Sequence, residues 1–354
     1  MKVAIIGTVG VPACYGGFES LVENIIGENC PPDVHYTIFC SSKNLKTRLT
    51  EYKGATLKYI SLSANGISSI LYDTISVWRT LKGYDAVLLL GGGTPLLGIL
   101  SWFRKGKLIY NVDGISHTRD KYGRFAKFYL YRIKKHVIKH ADTLVSDNIG
   151  IQKYIQDEFH RDSALIAYGG DHVLRSMSQE IQSKIIADYG LQAGSYAITV
   201  CRIEPENNCH IILEAFAALG ETMVFIGNWN KSQYGIALRE QYKNHRHIHL
   251  LDPIYDLEKL YALRNNARFY IHGHSVGGTN PSLVEAMFFG KPILAYDVIY
   301  NRETTFHKAH YFTTAEDLQH LLTKHLTGGD ELAELAKQNY TWKHIAEQYY
   351  SLYL

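Results

Sequence analysis

Arg268–Asp297 reads RFYIHGHSVGGTNPSLVEAMFFGKPILAYD, and its punctuation decides the fold. Phe269–His272 has the character of a short buried strand. His274–Thr279 is a glycine-containing loop. Asn280 suits a helix N-cap, and Pro281 suits the first turn, where a missing N–H costs nothing. The pattern predicts a helix through Phe289, stopped by Gly290 with Pro292 beyond it, and a second strand over Pro292–Tyr296. Strand, loop, helix and strand in that order imply a parallel sheet with a right-handed crossover.

Open α/β sheets bind ligands beyond the C-terminal ends of their strands, where this loop lies. The N–H groups and dipole of the following helix favour a phosphate. Glu285 lies on the same helix face as Pro281, and helical side chains lean toward the N-terminus. A phosphate repels a carboxylate, so hydroxyls are its natural partners there. The combination suggests a sugar nucleotide. The same residues also fit a helix packed in a Rossmann-like domain with Glu285 solvated, and local physics leaves both readings open.

A chain of 354 residues with 46% hydrophobic content has room for two domains with real cores. A net charge of +3 is too small to imply nucleic acid. The five cysteines contain no C-x-x-C and leave one unpaired in any disulfide scheme, which favours a reducing cytosol. The chain starts on strand-like VAIIG rather than a signal peptide, and no apolar run reaches transmembrane length. The expectation is a cytoplasmic protein whose membrane contact, if any, is peripheral.

Working outward toward the N-terminus, Val3–Ile6 is a strand followed by GTVGVPACYGGFES and a helix from Phe18 or Glu19. The loop is not G-x-G-x-x-G, which argues against a dinucleotide site. Its glycines, Gly16 and Gly17 among them, either line a site or satisfy turn geometry. Strands at His35–Cys40, Thr56–Ile60, Ala86–Leu90 and Lys107–Tyr110 continue a doubly wound sheet. NVDGISH places Asp113 and His117 at a strand's C-terminal end. They could bind an acceptor hydroxyl or take its proton, or Asp113 could simply brace a turn.

Arg119–His140 is rich in lysine and arginine, opposed only by Asp120, with Phe125, Phe128 and Tyr129 interleaved. That composition suits an anionic membrane surface; a core helix with a solvated basic face and RNA binding are the alternatives. Beyond it, Ala141–Ser146 and Ser163–Tyr168 read as strands, and Leu174–Ser178 as a linker. Tyr196–Val200 is the next strand, with CRIEPENN after it. Arg202 there can neutralise a diphosphate bidentately or pair with Glu204 or Glu206. His245, His247 and His249 alternate on one strand face, but no carboxylate or cysteine supports a zinc site. No D-x-D occurs, so metal-independent chemistry is expected.

PSLVEAMFFGKPILAYD resembles the donor-site signature of retaining glycosyltransferases of family 4, which have the GT-B fold. Glu285 matches the second of the signature's two glutamates, and Gly277 stands where the first belongs. CRIEPENN resembles the loop that carries an arginine and a lysine for the donor diphosphate; Arg202 matches the first, and Asn207 replaces the second. YGGFE, Tyr15–Glu19, resembles the family's N-terminal loop. The full string HGHSVGGTNPSLVEAM is similar to a bacterial subgroup associated with rhamnosyl transfer.

The resemblance implies an α/β protein of two Rossmann-like doubly wound domains facing across a cleft. Residues 1–173 would form the acceptor-side domain and 174–340 the nucleotide-sugar domain, with 341–354 a helix returning to the first. The donor, dTDP-rhamnose by subgroup analogy, would meet Gly16, Gly17, Arg202, Gly277, Gly278, Thr279, Asn280 and Glu285, with Asp252 and Ile254 near the base. Tyr15, Glu19 and Asp113 would serve the acceptor. Arg202, Glu285, Asp113 and His117 are the catalytic candidates. The acceptor would be a lipid-linked saccharide at the inner membrane face. No cofactor, metal or nucleic acid is implied. A non-catalytic nucleotide-sugar-binding partner and a nucleotide-sugar epimerase are the rival classes.

Overall fold

Runs such as Ala86–Leu90, AVLLL, are buried along their whole length, which requires cover on both faces and hence a parallel sheet between helices. The computed structural model describes residues 1–13, 16–112, 114 and 123–354, and it contains two such sheets. Tyr15, Asp113, His117 and Arg119–Tyr122 lie outside the described residues.

The first sheet holds β1 (Lys2–Ile6), β2 (His35–Ser41), β3 (Glu51–Tyr52), β4 (Ala55–Ile60), β5 (Ala86–Leu90), β6 (Lys107–Asn111), β7 (Thr143–Ser146) and β8 (Ala164–Leu165). Its order is β3-β4-β2-β1-β5-β6-β7-β8. Only the β3–β4 pair is antiparallel. The second holds β9 (Tyr196–Val200), β10 (Thr222–Ile226), β11 (Ile248–Leu251), β12 (Phe269–His272), β13 (Ile293–Tyr296) and β14 (His310–Phe312). It is parallel throughout, in the order β11-β10-β9-β12-β13-β14.

The chain divides into a unit of residues 1–169 and 342–354 and a unit of residues 170–341. The division falls between two glycines. A Cβ on Gly169 would meet the Trp342 ring at 2.5 Å, and one on Gly170 would meet Phe288 at 2.9 Å. Each glycine lets the backbone lie directly on its own unit. The final helix, Trp342–Tyr353, buries Trp342, Ile345, Ala346, Tyr349 and Tyr353 in the core around β1 and β2. Asn111 Nδ2 donates to the Tyr349 hydroxyl at 2.5 Å, so the return of this helix rests on polar as well as apolar contact.

The sequence reading of Ser163–Tyr168 as a strand shrinks to the two residues of β8, the last strand of the sheet order. The strand β14 and the helices Ala315–Leu322 and Gly329–Asn339 were not anticipated. A signal existed for the first helix: Thr314 and Asp317 form a capping box.

Asp73, in the helix Ser69–Arg79, is buried and accepts the Gly93 N–H at 2.9 Å. Burial pushes its carboxyl up to about 7, against the pull of that hydrogen bond. The folded chain therefore holds a proton that the unfolded chain loses near pH 4. Stability from this group is present below pH 4 and is lost as pH rises to 7, by at most roughly 4 kcal/mol. Urea midpoints measured from pH 5 to 8 should fall more steeply in the wild type than in Asp73→Asn.

Candidate functional site

The strand order of the second sheet reverses between β9 and β12: β10 and β11 lie to one side, β13 and β14 to the other. That is a topological switch point, where loops diverge and open a crevice for ligands. The loop after β9 carries Arg202, and the loop after β12 is Gly273–Asn280. The two strands are paired, with Tyr270 opposite Ile198.

The two loops are stitched together. Asn207 is buried; its amide nitrogen donates to the Arg202 carbonyl at 2.7 Å and its oxygen faces His274 Nδ1 at 2.7 Å. With that amide orientation, His274 donates from Nδ1. The N–H and hydroxyl of Ser275 both donate to the Glu206 carbonyl, at 2.9 and 3.0 Å. Asn208 Nδ2 donates to the Gly273 carbonyl at 2.9 Å, and a Cβ on Gly273 would meet the backbone carbonyl oxygen of Asn207 at 2.2 Å. Asn301 is buried and donates to the His274 and Tyr296 carbonyls, both at 2.8 Å. Arg302 grips Asp297 through two hydrogen bonds of 2.6 and 2.7 Å and lies over the Tyr311 ring. These residues brace the loops.

Both departures from the donor signature acquire a physical reason. Asn207 is a buried brace, not a charge that has been lost from the surface. Gly277 has φ +100°, a conformation that a glutamate would adopt only under strain.

The helix that follows is Pro281–Met287, shorter than expected, and the chain turns at Phe288–Gly290. Asn280 caps it, its side-chain oxygen accepting the Ser282 N–H at 3.0 Å. Among the described residues, no protein group accepts from the N–H of Gly277, Gly278 or Asn280. Those donors can face an anion. Thr279 is buried, 3.4 Å from the Thr304 hydroxyl.

Glu285 is not simply solvated. Arg264, from the helix Leu257–Asn265, donates from Nη2 to Glu285 Oε2 at 2.8 Å, and its side chain is 4% exposed. His172 Nε2 stands 3.6 Å from Oε1. Burial lowers the His172 pKa, with the Glu285 charge acting the other way, so the imidazole is neutral at pH 7 and Arg264 carries the pairing. Oε2 is thus fixed, while Oε1 retains acceptor capacity on a carboxylate 18% exposed. Sequence reasoning missed Arg264 and His172. Neither carries a local motif; YGGDH, which holds His172, read only as a connecting segment.

Arg202 is partly exposed, with Nη1 3.3 Å from Glu204 Oε2. This is the ion pair the sequence left open, and it does not prevent the guanidinium from turning to a ligand. Asp252 is exposed and bonded to Arg239 at 2.9 Å, and Ile254 is half-buried on the loop after β11. Nothing in the described contacts brings either to Arg202 or Glu285.

In the first unit the order reverses between β1 and β5, which places the loops that leave those strands at Gly7 and Gly91 at a second switch point. Gly16 has φ +117°, and the helix Gly17–Ile25 begins at Gly17. Glu19 is buried: it accepts the Thr8 hydroxyl at 2.8 Å and the Val9 N–H at 2.9 Å. Through a single oxygen, Oε1, it braces the β1 loop. The basic segment is helical over Arg124–His140, but Lys134 is buried and donates to the Gly114 carbonyl. It must be removed from the expected basic face. Among the described residues, no group of three or more His, Cys, Asp or Glu side chains could hold a metal ion, and no helix is long and apolar enough to cross a membrane.

Residues 182–342 match the family described as Glycosyl transferases group 1, and residues 1–87 and 102–171 match a domain of unknown function, DUF1972. The glycosyltransferase match covers most of the second unit. No curated protein matches the chain. Among solved structures, sucrose-phosphate synthase from Thermosynechococcus elongatus is similar with TM-score 0.79 and 16% identity, covering 99% of this chain and 98% of that one. Anabaena HepE in complex with UDP-glucose gives TM-score 0.76 and 16% identity over 99% of both chains. The UDP-forming alpha,alpha-trehalose-phosphate synthase from Burkholderia xenovorans gives TM-score 0.69 and 12% identity over 100% and 99%. At these identities the likeness establishes the fold: two Rossmann-like parallel-sheet domains of GT-B type, as expected from the sequence.

Proposed function

We propose that the protein is a retaining, metal-independent glycosyltransferase that moves rhamnose from dTDP-rhamnose to a lipid-linked saccharide in bacterial surface polysaccharide assembly. It would work from the cytoplasm as a peripheral protein on the inner membrane face. One observation supports the reading: Arg202 follows β9, while the unengaged N–H groups of Gly277, Gly278 and Asn280 and the half-held Glu285 carboxylate follow β12, its neighbour at the switch point of the second sheet. Arg202 and those N–H groups would stabilise the departing nucleoside diphosphate, the kind of fixed electrostatic placement that supplies much of an enzyme's rate. Glu285 Oε1 would accept a donor hydroxyl. Retention is what the resemblance implies, and front-face substitution is the expected course. The bond from the anomeric carbon to the phosphate oxygen breaks with its electron pair on the diphosphate. The acceptor oxygen bonds to the same face, and its proton leaves with the diphosphate.

The UDP-glucose named with HepE supports a nucleotide-sugar donor here. The choice of dTDP-rhamnose rests on HGHSVGGTNPSLVEAM alone. A panel of labelled nucleotide sugars, each offered with lipid-linked saccharide acceptors, tests it. Transfer is expected from dTDP-rhamnose, with anomeric configuration retained and with EDTA present. Transfer only from another donor would replace the sugar. Donor binding without transfer would favour a non-catalytic partner, and donor turnover without acceptor an epimerase.

A further inference from the structure

We propose that Leu96–Phe103 and the outer face of the helix Arg124–His140 form one docking surface for an anionic phospholipid bilayer, with the shorter segment inserting into the interfacial layer. This deepens the proposed function: it rests on the lipid-linked acceptor for its purpose, though not for its geometry. The helix Leu97–Leu100 runs into a 3-10 turn, Ser101–Phe103. Leu97 is fully buried and anchors it, while Ile99, Trp102 and Phe103 are 64%, 88% and 61% exposed. Exposed apolar side chains this large and this close in sequence mark a contact surface.

The segment is pinned to the longer helix. Gly98 donates its N–H to His136 Nε2 at 3.0 Å, and a Cβ on Gly98 would meet the His136 and His140 rings at 3.0 Å. The longer helix shows solvent a stripe of Phe125, Phe128, Arg132, Lys135 and Lys139, at spacings that keep one helical face. Phe125 is 93% exposed. Neither Leu96–Lys107 nor Arg124–His140 contains an acidic residue. Tryptophan and phenylalanine beside Arg132, Lys135 and Lys139 match the boundary between acyl chains and anionic headgroups; a protein partner would require neither the tryptophan nor the basic stripe. Each exposed cation should be worth roughly fivefold in partitioning to an anionic surface.

The full chain is sedimented with vesicles of phosphatidylcholine alone and of phosphatidylcholine with phosphatidylglycerol. Trp102→Ser with Phe103→Ser should cut binding to the mixed vesicles at least tenfold. Arg132→Gln, Lys135→Gln and Lys139→Gln together should abolish the preference for anionic lipid. Both variants should match the wild-type rate with a water-soluble analogue of the saccharide acceptor, which separates a failed surface from a failed catalytic reading. Unchanged sedimentation of the Trp102/Phe103 variant overturns the proposal. So does a wild type that ignores both vesicles, or one that dimerises without lipid while that variant stays monomeric.

Discussion

Glu285→Ala is expected to abolish most transfer and also to destabilise the second unit by about 3–5 kcal/mol, the cost of leaving a buried charge without its partner. The charge is Arg264. Its side chain is 4% exposed, its Nη2 lies 2.8 Å from Glu285, and its buried Nε finds no acceptor among the described residues. A loss of that size is a large part of the about 5–15 kcal/mol that holds a typical domain folded. Read from the sequence, where Glu285 has no visible partner, the alanine variant should fold normally; the structure reverses that expectation. Activity loss in Glu285→Ala alone is therefore ambiguous. Two further variants resolve it. Glu285→Gln keeps the shape and an oxygen for Arg264, so it should stay closer to wild-type stability while losing transfer. Glu285→Ala with Arg264→Met removes both charges, and should recover stability without recovering activity. Urea midpoints and transfer rates on the same preparations give the comparison. Wild-type stability and rate in Glu285→Ala would remove this carboxylate from the site.

The pair also shows what a sequence can and cannot disclose. β9, β12 and β13 were legible because each is a short apolar run bounded by glycine, proline or asparagine. Asn280 and Pro281 were legible as a cap because capping is a local contest for a few N–H groups. The Glu285–Arg264 contact spans 21 residues and two helices, and no local pattern ties its ends. The same holds for His172, and for Asn207, whose brace to His274 makes a missing lysine into a packed connection. Glu19 came from the YGGFE resemblance alone, which could not show that its Oε1 accepts from Thr8 and Val9. Lys134, set among exposed lysines in sequence, points inward because the helix turns it there. Chemistry-bearing residues were readable by type; their partners depended on the tertiary fold.

Arg202→Ala should behave in the contrary way to Glu285→Ala, with a large kinetic effect and a much smaller effect on stability. It pairs with Glu204, 3.3 Å away, with side-chain exposures of 36% and 23% and Glu204 Oε2 itself buried. A pair whose arginine is this exposed contributes about 0–1 kcal/mol, so the melting curve should move far less than in Glu285→Ala. The kinetic role is different. If Arg202 meets the diphosphate, its charge counts most when the bond to the sugar has broken and the phosphate oxygen is fully anionic. An interaction that strengthens on the way to the transition state appears in kcat. Removing one such donor typically costs about 10²–10³-fold, and that is the loss expected here. Arg202→Lys should fall in between, since an ammonium keeps the charge but not the two-pronged geometry. The measurement is kcat and KM for the donor at saturating acceptor, beside a melting curve. A rise in KM with kcat intact would make Arg202 a ground-state binder only. A near-normal kcat/KM in the alanine variant would take the diphosphate away from the β9 loop, and with it the argument that the β9–β12 switch point is where the sugar is released.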